Sequence, residues 1–99
     1  MPDDAALRAF VAAVVQHLAF AAGDAAREKI RERVMALVGA AVDDGAAEDA
    51  ARALAGDPPV LASFFQNVDL LYEGAGYAHA DALAAAVLRA VEMLDEAEG

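Results

Sequence analysis

The stretch from Asp57 to Tyr77, DPPVLASFFQNVDLLYEGAGY, constrains the fold of this chain more than any other. Gly56-Asp57-Pro58-Pro59 marks a helix boundary. Gly56 suits the left-handed position after a preceding helix, Asp57 can cap the next one, and Pro58 at its first position lacks an N–H that the helix would not have used. The helix that opens there is expected to run to about Glu73. Val60, Leu61, Phe64, Phe65, Val68, Leu71 and Tyr72 give it a broad apolar face, and Ser63, Gln66, Asn67, Asp69 and Glu73 fill the remainder. Leu70 is the anomaly, a large aliphatic set among the polar residues.

The stretch matters because large side chains are scarce elsewhere. It holds Phe64, Phe65, Tyr72 and Tyr77, four of the six aromatics, whereas 29 of the 99 residues are alanine. Burying alanine removes little apolar area from water, and that area drives folding. About 30 larger apolar residues remain. They suffice for a single core, and equally for a dimer that shares part of its core.

Punctuation and period place the other helices. The first is expected after Pro2, with Asp3 or Asp4 as cap, and carries Leu7, Val11, Val14, Val15 and Leu18 on one face until Gly23. Asp24 is expected to cap a second helix reaching about Val42, striped by Ile30, Val34, Leu37, Val38 and Ala41. After Asp43-Asp44-Gly45 comes a short helix from Ala46 to Ala55, in which Leu54 is the only large apolar residue and Glu48 and Arg52 have the favourable spacing for an ion pair. It reads as loosely held. A last helix, starting between Tyr77 and Asp81 and ending near Glu96, is striped by Leu83, Val87, Val91 and Leu94 and lined by alanines that allow close approach. The expected fold is all-α: one domain over residues 1–99, an antiparallel bundle of four principal helices plus one short connecting helix.

Charge narrows the partners. Residues 1–42 hold five acids and five bases, whereas residues 43–99 hold twelve acids and only Arg52 and Arg89, giving the net charge of −10. A negative field of that size argues against nucleic acid or an anionic membrane surface as partner. The basic cluster Arg27, Lys29, Arg31 and Arg33 is interleaved with Glu28 and Glu32 rather than presented as one clean face. It suits docking on an acidic surface, either this chain's C-terminal half or another protein. With no cysteine, no basic leader and no apolar run long enough for a bilayer, the expected setting is cytoplasmic.

Residue types that carry chemistry are few. Ser63 is the only serine and there is no threonine. His17 and His79 are the only imidazoles, and the i,i+4 pair Asp69 and Glu73 lies away from the expected core, so neither a metal site nor a cofactor is expected. Four apolar residues fall off the main stripes: Phe20, Leu70, Leu88 and Met93. Several such residues on one surface would mark an interface. The leading expectation is a non-catalytic interaction module, binding itself as a homodimer or another protein through those residues and the basic cluster, as an accessory, chaperone-like or regulatory subunit. The alternative is a small-molecule binder or enzyme with a pocket between the first helix and the two long C-terminal ones, built from His17, Phe64, Phe65, Tyr72, Tyr77 and His79.

Overall fold

Alanine-rich sequence broken by glycine and proline folds here into helices alone. The computed structural model describes residues 5–43 and 45–98, with the side chains of Ala21 and Glu98 left aside. Its helices are α1 (Ala5–Ala22), α2 (Arg27–Val42), α3 (Ala47–Ala55), α4 (Pro58–Asn67) and α5 (Ala80–Glu98). Short 3₁₀ segments, Asp24–Ala26 and Val68–Tyr72, precede α2 and follow α4. Among the described residues there is no strand. The caps expected at Asp3 or Asp4, and the loop position Asp44, lie outside the described residues.

The helix ends depart from expectation in ways that link elements together. Asp57 does not cap α4 with its side chain. Its carboxylate instead accepts from Arg33 of α2, a charged donor that competes with the neutral backbone N–H of a cap. Pro58 and Pro59 still open the helix as expected. Asp24 likewise gives no side-chain cap and pairs with Arg27 at 3.3 Å. Gly56 is right-handed, at φ −80°, because α3 ends without a left-handed residue and its N–H returns to Arg52 O at 3.0 Å. At Gly23 the backbone does need glycine, with φ 93° and ψ 155°.

The expected fourth helix stops being α-helical six residues early. Asn67 donates its side-chain N–H to Ser63 O at 2.8 Å, and from Val68 the chain tightens to 3₁₀. Fewer residues per turn rotate the side chains beyond that point. Leu70 thereby turns inward to pack on the core while Tyr72 turns out and is half exposed. The anomaly at Leu70 is thus a consequence of the 3₁₀ pitch. Gly74 and Gly76 then reverse the chain with positive φ, and Tyr77 N–H closes the turn on Leu71 O at 2.8 Å.

At the centre of the core Phe10 of α1 meets Phe64 of α4 edge to face, with ring centroids 5.1 Å apart. Val34, Leu54, Leu71 and Leu83 complete it, one each from α2, α3, the second 3₁₀ segment and α5. The connecting helix is not loosely held. α3 makes the most extensive helix–helix contact in the molecule, against α5, and packs on α2 as well. Ala50, Ala51 and Leu54 are all buried. Small side chains let helix axes approach closely, so α3 is held by backbone proximity that a count of large residues does not register. Its expected Glu48–Arg52 pair does not form. Arg52 pairs with Asp49 at 3.0 Å, whereas Glu48 reaches Arg89 of α5 at 3.4 Å.

Phe64→Ala should cost about 3–5 kcal/mol and Leu54→Ala about 2–5 kcal/mol, both read from urea unfolding. A Leu54→Ala protein as stable as the parent would show that α3 is peripheral after all.

Candidate functional site

α4 is a ten-residue helix without a charged side chain, PPVLASFFQN, in a chain of net charge −10. One side of it, Val60, Leu61, Ser63 and Phe64, is buried. The other side presents Pro58, Ala62, Phe65 and Gln66, and these, with the edge of Leu61, line a groove completed by Val91 and Leu94 of α5. The groove holds about 370 Å³. At its other end α4 continues into Tyr72, whose hydroxyl donates to Asp81 in the first turn of α5 at 2.8 Å. Phe65 shares the groove with Val91 and Leu94 in the second half of α5. Leu88 stands one turn before Val91 and away from the core. Phe65 is 54% exposed and Val91 40%, and both line the groove; Leu88, 57% exposed, extends the apolar surface from Val91 along α5.

Several residues expected to be core or pocket therefore lie elsewhere. Phe65, Tyr72 and Val91 belong to the surface: α4 and α5 are each apolar around more than half their circumference, and the neighbouring elements cover only part of it. Of the six residues expected to wall one pocket, Phe64 fills the core and only Phe65 lines a groove. Tyr77 is half-buried and lies edge-on to His79, with ring centroids 5.6 Å apart. His17 is exposed and shares a hydrogen bond of 3.0 Å with Ser63 Oγ. The pair resembles a nucleophile and its base, yet Ser63 is fully buried, so it works as a tie between α1 and α4. The structure does not gather these side chains at one place. Among the described residues no three metal-ligating side chains converge, and no helix is long and apolar enough to cross a membrane.

The off-stripe residues divide evenly. Leu70 and Met93 are half-buried and pack on the core, Met93 because α5 is covered on more than one side. Phe20 and Leu88 remain outside, Phe20 at 93% exposure. Phe65 and Val91 were hidden by lying on the same stripes as core residues. The signal that points to them is the missing charge on α4, since a helix fully covered by neighbours and one awaiting a partner both lack it.

The basic cluster is partly spent inside the molecule. Arg27 and Arg33 hold Asp24 and Asp57, whereas Lys29 and Arg31 have no ion-pair partner among the described residues. Arg31 edges a second groove of about 430 Å³, lined by Leu7, Arg8, Val11, Ala12 and Met35. A third, of about 300 Å³, lies beside the Arg33–Asp57 pair and is floored by Leu18, Ile30, Val34 and Val60. Across the molecule, Arg89 draws Glu48, Glu92 and Glu96 together, and their charges, Glu48 foremost, raise its pKa further. The Asp81 carboxylate, by accepting the Tyr72 hydroxyl, holds that phenol above its ordinary 10.0, assisted by lost hydration and by the carboxylate charge.

No family model, curated protein or solved structure matches the chain.

The two hydrogen-bonded pairs can each be tested by substitution. His17→Ala should destabilise by about 1 kcal/mol, because it strands the buried Ser63 hydroxyl. Adding Ser63→Ala should then recover part of that loss in the same denaturation assay. In a Tyr77→Phe background, phenolate absorbance should titrate above pH 10, and Asp81→Ala should bring the midpoint down. The sign is that of a raised pKa: the hydrogen bond contributes stability below the unfolded tyrosine value, and the contribution is lost as pH rises through the folded one.

Proposed function

We propose that this protein is a protein-binding module whose working surface is the α4–α5 face. The observation that carries the reading is α4, the one uncharged α-helix among the described residues, presenting Phe65 to solvent in a groove shared with Val91, with Leu88 one turn away from Val91 on α5, on a strongly acidic molecule. Single exposed apolar residues are ordinary, but a contiguous group around a groove characterises the centre of a protein interface. Aromatic side chains in such a position carry a large share of binding energy. An acidic surround also disfavours nucleic acid as the occupant. The role fits an accessory or regulatory subunit that acts by occupying or shielding another chain.

Photo-crosslinking tests this in the cells that make the protein. A photoreactive phenylalanine analogue at position 65 should yield one discrete crosslinked species, and the same analogue at exposed position 53 on α3 should yield none. A product of twice the chain's mass would identify a homodimer, and any other mass a different partner. Absence of a specific product at position 65 would remove the reading.

A further inference from the structure

We infer that the occupant of the α4–α5 face is a basic amphipathic helix from another protein. The inference rests on the reading that this face binds protein, and adds the chemistry of what it binds. Shape comes first. From Pro58 to Gln66 the groove wall advances by eight residues, or ~12 Å at the helical rise, about two turns. That length matches the i, i+3/i+4 and i+7 anchors of a helix laid in an apolar groove. Its wall is rigid α-helix on both sides, so little ordering is needed on binding.

Charge decides the occupant's sequence. Asp69 follows Phe65 by four residues, across the change to 3₁₀ pitch, and Asp95 stands one turn beyond Val91 on α5, so each of the two chain segments carries an acid just past its apolar residues. Neither has a partner among the described residues. Glu92, adjacent to Val91, is shared with Arg89, itself already claimed by Glu48 and Glu96. Lys29 and Arg31 are the two members of the basic cluster without an ion-pair partner among the described residues, and Arg33, the member of α2 that meets the start of α4, is neutralised there by Asp57. The field over the face is therefore negative around an uncharged centre. A helix with a leucine-type stripe and flanking Lys or Arg complements both parts. A second copy does not, because a symmetric pairing would set Asp69 and Asp95 near the same acids of a molecule that also carries −10.

The test uses fluorescence anisotropy with three synthetic probes: a leucine–lysine amphipathic helix, a leucine–glutamate helix of the same pattern, and the leucine–lysine peptide with its pattern scrambled. The wild type should bind the first at least roughly tenfold more tightly than either of the others. Phe65→Ser/Leu88→Ser, which keeps every charge, should lose at least roughly tenfold in affinity, with circular dichroism confirming an unchanged fold. Asp69→Asn/Asp95→Asn should weaken binding and flatten its salt dependence. Equal binding by wild type and Phe65→Ser/Leu88→Ser, or by patterned and scrambled peptides, would overturn the inference. Light scattering separates its failure from that of the reading beneath it. If the probe does not bind but the wild type self-associates and Phe65→Ser/Leu88→Ser is monomeric, the face is an interface whose occupant is a second copy. If neither occurs, the inference falls, and the crosslink at position 65 decides the reading beneath it.

Discussion

Close approach of helices through alanine is the constraint on which the rest of this molecule depends. Ala41, Ala50, Ala51, Ala86 and Ala90 are all buried. Such small side chains contribute modest transfer free energy each, so stability has to come from short distances between helices and from a few large residues placed at the centre. Phe10 and Phe64 supply that centre, with ring planes at 86°. The arrangement explains why the shortest helix, α3, packs so extensively. It has little to bury except backbone and methyl groups, and close contact with α5 is how it buries them.

The same constraint generates the surface. α4 and the 3₁₀ segment after it are dense in large apolar side chains, and the neighbouring elements leave part of that surface uncovered. Leu61 and Phe64 go inward, Phe65 and Val91 partly outward. Charge has been removed from α4 altogether while the rest of the C-terminal half accumulates acid. The proposed binding face thus combines an uncharged helix with an acidic C-terminal half.

Polar ties fix the angles between these elements. Arg33 to Asp57 sets the start of α4 against α2, His17 to Ser63 joins α1 to α4, and Arg89 to Glu48 fastens α3 to α5. In the described residues no buried side-chain nitrogen or oxygen lacks a partner. Two of these ties draw on residues that local spacing assigns elsewhere: Asp57 to a helix cap and Glu48 to Arg52. A tertiary partner carrying full charge displaced the local one.

What the sequence determined by itself was the all-α class, the break between α1 and α2 at Gly23, the α4 start at Pro58 and the burial of Phe64. These come from rules that act within a few residues: the missing proline N–H, glycine's tolerance of positive φ, and the periodicity of large apolar side chains. Only the tertiary structure decided which side of an apolar helix is covered. Phe65 and Phe64 are adjacent on one apolar stripe, yet one is at the surface and the other at zero exposure. Periodicity reports how apolar a helix face is; it carries no information about how many neighbours arrive to cover it. The α4–α5 face exists because, in this fold, too few of them do.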